Sequence, residues 1–121
     1  MNKAFFESYY QTYNSEDAEA LKKFYHEEVE LISAQGVMKG PDEIIATYSD
    51  ITANFIDQMK PKEISFKDGI AYIQIHDQFT AKHDVEDFMG MAFTKGQGFE
   101  MDLSGEYEIV DNKIKKITLS M

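Results

Sequence analysis

In the segment IQIHDQF, residues 73–79, a strand would place Ile73, Ile75, Asp77 and Phe79 on one face. The alternation points the carboxylate of Asp77 inward among apolar neighbours. A buried carboxyl group resists ionisation unless it is paired, and one that keeps its proton near neutral pH can serve as a general acid or base. The plainer alternatives are a bulge that turns Asp77 outward, or a structural hydrogen bond to Tyr9 or Tyr48.

MDLSGEYEIV, residues 101–110, alternates in the same way. Met101, Leu103, Tyr107 and Ile109 share one face, and Asp102, Ser104, Glu106 and Glu108 the other. Gly105 interrupts the apolar face with no side chain, and a strand-interior glycine marks a bend, a bulge or a close approach. The expectation is free volume beside Gly105, on the inner surface of a cavity.

The three histidines are scattered. His76 alternates with Tyr72, Gln74 and Gln78 on the outer face of its strand. His26 is expected at a helix end, favoured by the negative pole of the helix. His83 lies in an acidic run with Asp84, Glu86 and Asp87 that lacks metal-ligand spacing, so a solvated charge run is expected, with no metal and no cofactor. Tyr9, Tyr10, Tyr13, Tyr25 and Tyr48 suit either the polar rim of a pocket or a core whose hydroxyls find internal partners. Met38, Met89, Met91 and Met101 would surround the mouth of such a pocket.

Composition removes several chemistries. There is no cysteine, hence no thiolate nucleophile, disulfide or cysteine metal site. Arginine is absent, which removes the usual fork for phosphate and carboxylate. With a net charge of −10 and no basic run, nucleic acid is not an expected partner. No apolar run has the length of a membrane span, so no membrane is expected. MNKAFFESYY lacks a secretory apolar stretch, and a cytoplasmic location is the expectation.

The elements that must position these residues follow from periodicity and punctuation. A single domain over residues 1–121 is expected. Residues 3–13 form an aromatic helix, and Asn14 or Ser15 caps a second, short helix reaching about His26. VELIS, 29–33, reads as a strand, and AQGVMKG turns back through a brief extended segment. Gly40-Pro41-Asp42-Glu43 starts a third helix whose apolar face runs from Ile44 to Met59, stopped by Lys60-Pro61. EISFK, 63–67, and AYIQIHDQFTA, 71–81, form a hairpin across Asp68-Gly69. A strand over about 98–110 meets KIKKITLSM across Asp111-Asn112. The fold class is α+β: a strongly curved, mostly antiparallel, cone-shaped sheet around a long helix, with two short N-terminal helices closing its open end.

This order resembles the nuclear transport factor 2-like (cystatin-like) superfamily, and within it the SnoaL-like polyketide cyclase branch. LKKFYHEEVELIS and the Lys39-Gly40 step resemble the family's helix-to-strand and strand-to-helix junctions. HDVEDFMGMAFTKGQGFEM, 83–101, resembles the connector His-x-Gly-x-(Phe/Leu)-x-Gly-x-x-Pro-Thr-Gly-(Lys/Arg). It retains His83, Phe88, Gly90, Thr94 and Gly96, with an insertion after His83 and Phe93 in place of proline. DNKIKKI resembles the closing turn. The resemblance implies a catalytic aspartate at about position 105, where this chain has Gly105. It implies a second, isomerase-type aspartate at Ser33, and places Tyr9 where an oxyanion-binding tyrosine would sit and His83 at the rim.

Two functions follow. One is binding of a small apolar or aromatic ligand without the usual family acids, in a pocket of Tyr13, Tyr48, Phe55, Ile75, Phe79, Met91, Met101, Leu103 and Gly105. The other is a cofactor-independent cyclase, isomerase or dehydratase-like enzyme, with Asp77 as base and Tyr9 or His83 stabilising an oxyanion. A homodimer through the outer sheet face is expected.

Overall fold

A computed structural model describes residues 2–121. The side chain of Asn2 accepts from Phe5 N at 2.9 Å and starts helix α1, Lys3–Tyr13, which buries Phe6, Tyr9 and Tyr10. Asp17 caps α2, Ala18–Lys22, and strand β1 follows over Tyr25–Ser33. The second helix is therefore shorter than its periodicity suggests. Tyr25 and His26 are strand residues, and His26 Nδ1 accepts from Glu28 N at 3.0 Å rather than serving a helix end. β2, Gly36–Lys39, pairs back onto β1, and α3 runs over Pro41–Asn54 after Gly40, whose φ of +84° lies in the region glycine favours.

The third helix also ends early. Lys82 Nζ donates to Thr52 O at 2.6 Å and Lys82 N to Asn54 O at 2.8 Å, so the end of another strand takes up the last carbonyls of α3. From Phe55 the chain is extended as β3, Phe55–Lys67, which passes straight through Pro61. Proline is tolerated there because β3 is an edge strand and its register shifts between Pro61 and Glu63.

β4, Ile70–Ala81, returns from β3 through Asp68-Gly69, both at positive φ, the geometry of a tight hairpin turn. The connector 83–101 holds a small hairpin that periodicity alone does not suggest: β5, Val85–Phe88, and β6, Met91–Phe93, turning at Met89-Gly90. β7, Gly98–Val110, and β8, Lys113–Ser120, turn at Asp111-Asn112. The large sheet has the order β2-β1-β8-β7-β4-β3, antiparallel except for the parallel β1–β8 pair. Among the described residues no helix is long and apolar enough to cross a membrane.

Two apolar clusters fill the concave side of the sheet. The larger joins Phe6, Tyr9 and Tyr10 of α1 to Tyr25, Tyr48, Ile75 and Tyr107. The smaller is built on Phe55, Phe79 and Phe93, with Phe88, Phe99 and Met101 against it. The rings of Phe79 and Phe99 stack at 4.6 Å between centroids, across a paired position of β4 and β7.

Gly105 borders no free volume. A Cβ built there would lie 2.6 Å from Cε1 of Tyr107, whose ring lies back over the glycine and whose hydroxyl meets that of Tyr10 at 2.7 Å. The missing side chain accommodates a neighbour two residues away on the same face, not a guest. Gly105→Ala must displace a ring that is buried and hydrogen-bonded. Urea unfolding should show a loss of about 1–3 kcal/mol, and Gly105→Asp a larger one. An unchanged midpoint for Gly105→Ala would mean that the Tyr107 ring is free to move.

Candidate functional site

β3 and β4 pair with Asp57 opposite Phe79 and Met59 opposite Asp77. Odd-numbered residues of both strands face inward here, so Asp57 and Asp77 are diagonal neighbours on the concave face. They are only 2% and 1% exposed. Asp77 lies between Ile75 and Phe79 along its own strand and pairs with Met59 and Met101 on either side. The two acids thus form a polar seam where the tyrosine-rich cluster meets the phenylalanine-rich one.

Helix α1 supplies the seam's donor. Tyr13 donates its hydroxyl to Asp57 Oδ2 at 2.7 Å, and Tyr48 of α3 donates to the Tyr13 carbonyl, with the two rings edge to face. Asn14, just past the helix, holds the chain in place by forming both hydrogen bonds to the Met59 backbone, each 2.8 Å long. These bonds occupy backbone groups on the outer edge of β3 that an edge strand otherwise leaves open.

Oδ1 of each carboxylate is buried and receives no N–H or hydroxyl from the rest of the chain, which leaves a proton shared between the two acids as its partner, and no lysine or histidine pairs with either acid among the described residues. Burial raises the pKa of both. Against that rise, hydrogen bonds from Asp77 and Tyr13 favour the ionised form of Asp57. Asp77 has no such help, and the neighbouring Asp57 raises it further. Two adjacent buried charges are prohibitive, so the pair keeps a proton at neutral pH, on Asp77 rather than Asp57.

Beside the seam runs a groove of about 480 Å³ between α1 and β3. Glu7, Tyr10 and Asn14 line one side, Gln58, Met59 and Lys60 the other, and His76 and Gln78 also contribute. Neither acid lines the groove; Met59, the strand partner of Asp77, is the lining residue next to them in the sheet.

The expected catalytic residues are not brought together. Asp77 points inward as its alternation requires, but its partner is Asp57, not Tyr9 or Tyr48. The Tyr9 hydroxyl meets that of Tyr25 at 2.7 Å. His83 is exposed, with Nδ1 on the carbonyl of Asp84 at 2.8 Å. Of the expected pocket residues, Tyr13 bonds directly to Asp57 and Tyr48 supports it. Ile75 and Leu103 pack in the tyrosine cluster, and Phe55, Phe79 and Met101 in the phenylalanine cluster. Met91 is 54% exposed on the β5–β6 hairpin, and Gly105 lies beneath Tyr107. The four methionines do not ring one mouth, for Met38 accepts from Thr47 Oγ1 on the β2 side of the fold. His76 lies on the outer face as expected. Hydrogen bonds to Asp102 at 2.9 Å and Glu100 at 3.3 Å raise its pKa.

Asp57 is the residue that sequence reasoning missed. Its signal was present: FIDQM repeats the apolar-x-Asp-Gln-apolar pattern of IHDQF. Extending the third helix to Met59 concealed that alternation.

The acid pair makes stability depend on pH with a defined sign. Below the ordinary carboxyl value of 3.8, folded and unfolded chains both hold the proton of Asp77, and its contribution is complete. Above it the unfolded chain loses that proton while the folded chain keeps it. Stability then falls with rising pH, by up to about 1.4 kcal/mol per unit. Asp77→Asn, whose amide can still donate to Asp57, should flatten this decline and be about 1–4 kcal/mol more stable than the parent at pH 8. Urea unfolding from pH 4 to 9 checks it, and parallel profiles for the two proteins would contradict the shared proton.

Comparison with known proteins places this geometry. The family model described as SnoaL-like polyketide cyclase matches residues 3–119. A candidate polyketide cyclase from Xanthomonas campestris is similar in structure, with a TM-score of 0.82 at 17% identity over 96% of this chain and 86% of that one. AclR, a candidate hydroxylase from Streptomyces galilaeus, has a TM-score of 0.80 at 18% identity, over 98% and 76% of the two chains. An LEH-like epoxide hydrolase from M. tuberculosis has 0.76 at 9%, over 96% and 78%. Comparison with curated protein sequences finds no match. The similar structures share the fold, and the match of the family model along almost the whole chain establishes that this protein belongs to the SnoaL-like polyketide cyclase family.

Proposed function

We propose that the protein binds a small organic molecule through the Asp57–Asp77 pair, reached from the groove between α1 and β3. The observation that carries this reading is a buried acid pair that, apart from the proton it shares, takes a single hydroxyl, that of Tyr13, from the rest of the chain. Apolar residues of similar size would serve the core at lower cost, because burying ionised groups costs on the order of several kcal/mol each before compensation. A polar partner from outside the chain would recover part of that cost. The groove's volume falls within the range of small-molecule sites. The resemblance puts a family-type acid at Gly105 and an isomerase-type acid at Ser33, neither of which is an acid here, while the buried acids of this chain lie on β3 and β4.

A second reading is proton transfer, and the unequal protonation of the pair favours it. Asp77, holding the proton, is placed as the acid, and Asp57, charged and oriented by Tyr13, as the base. This reverses the role expected for Asp77. In an enolisation, Asp57 would take a proton from the carbon beside a carbonyl while Asp77 gives its own to the carbonyl oxygen.

Incubation with a panel of β-dicarbonyls and aryl ketones in D₂O, followed by NMR, separates the two readings. Saturable shifts without deuterium at carbon are expected for a binding protein, lost in Asp57→Asn and Asp77→Asn. Deuterium uptake that falls at least ~100-fold in those variants would assign turnover. Binding retained in a folded double variant would remove both readings.

A further inference from the structure

From the open edge of β3, we propose that two copies of this chain pair strand to strand, antiparallel about a two-fold axis at Ser65. β3 is the outermost strand of the large sheet and runs for 13 residues. Its first half is covered, because Asn14 takes both backbone groups of Met59. Those bonds fix the parity of the strand: Met59 turns its N–H and C=O away from β4. The shift of one residue between Pro61 and Glu63 then passes the outward role to Ile64 and Phe66. Among the described residues, no backbone hydrogen bond outside the β3–β4 ladder reaches residues 61–67. A strand edge with free N–H and C=O groups is a template for another strand. The other edge of the sheet, β2, has only four residues.

Charge complementarity selects the second copy as the occupant. KEISFKD, residues 62–68, complements itself when reversed. Pairing about Ser65 sets Lys62 opposite the partner's Asp68, Glu63 opposite the partner's Lys67 and Ile64 opposite the partner's Phe66, and symmetry repeats each pair. Lys62, Glu63, Lys67 and Asp68 are all exposed, and none has an ion-pair partner within the chain among the described residues. Opposite charges facing each other across strands are favourable and like charges are not. Centring the pair on Ile64 or on Phe66 instead sets Ser65 against Glu63 or against Lys67. Lysines that keep an edge from pairing at random therefore choose a single alignment here. In that alignment the outward backbone groups of Ile64 and of the partner's Phe66 meet directly. Phe66, 42% exposed with its ring against Phe6, also gains Ile64 of the partner subunit as an apolar neighbour. The partner's hairpin turn comes beside Pro61, which lines the groove. This contact extends the sheet rather than covering its outer face. It is one strand wide, so the dimer is weak and concentration-dependent.

Sedimentation velocity over about 5 to 500 µM tests this, a range suited to a small interface, with each variant checked for folding by circular dichroism. A dimer that dissociates on dilution is expected. Glu63→Lys and Lys67→Glu each set like charges together on both sides of the axis and should weaken the dimer about tenfold. The double variant restores both pairs with their signs reversed and should recover the parent's affinity. Because the chain has no cysteine, Ser65→Cys also reports the axis directly. It places two thiols at a non-hydrogen-bonded position, where Cα atoms lie about 4.5 Å apart, within disulfide range. Mild oxidation should link copies of Ser65→Cys and leave Gln74→Cys, on the outer face, unlinked. A parent protein that stays monomeric throughout would overturn the inference. So would a dimer indifferent to both charge reversals, or one that the double variant fails to restore. Linkage of Gln74→Cys without linkage of Ser65→Cys would overturn it as well, by moving the contact to the outer face.

Discussion

The repulsion between two buried carboxyl groups constrains the middle of this fold. Asp57 and Asp77 lie at the junction of two apolar clusters, where two full negative charges could not coexist and two protonated acids would forgo the hydrogen bond from Tyr13 to an anion. The compromise is one charge and one proton. The strand register produces it directly: β3 and β4 align so that these two inward positions are diagonal neighbours. Sliding β3 by one residue against β4 would send Asp57 to the outer face and bring Gln58 and Lys60 inward.

The placement of α1 depends on the same seam. Tyr13 reaches Asp57 from the last turn of the helix, and Asn14 fastens the following backbone to β3 through Met59. Tyr10 and Tyr9 meanwhile anchor the helix in the tyrosine cluster through the hydroxyls of Tyr107 and Tyr25. Each of these tyrosines buries an aromatic ring while keeping its polar end satisfied, which is how a core so rich in hydroxyls avoids unpaired groups. The helix therefore covers the acids and forms one wall of the groove beside them.

Gly105 illustrates how a missing side chain can be misread. Its inward position is real. Yet the space is taken by the ring of Tyr107, two residues on, which the absence of a Cβ allows to lie against the backbone. The buried acids lie instead on β4 and β3, the next strand and the edge strand beyond β7.

Local sequence determined the α+β order, the hairpin turns at Asp68-Gly69 and Asp111-Asn112, the start of α3 at Pro41 and the inward aim of Asp77. All of these follow from backbone preferences and period-two alternation within a few residues. It did not determine where α3 ends, because residues 55–59 carry apolar side chains compatible with either helix or strand. Pairing with β4 and the contacts of Lys82 decided for the strand. That decision turned Asp57 inward, and so only tertiary structure could disclose the pair. The same holds for Tyr9, His83 and Gly105: their types and spacing are local facts, but what each touches is set by strands and helices far away in the chain. Coulomb repulsion between two buried acids exists only once the sheet has brought them together, and no reading of either segment alone contains it.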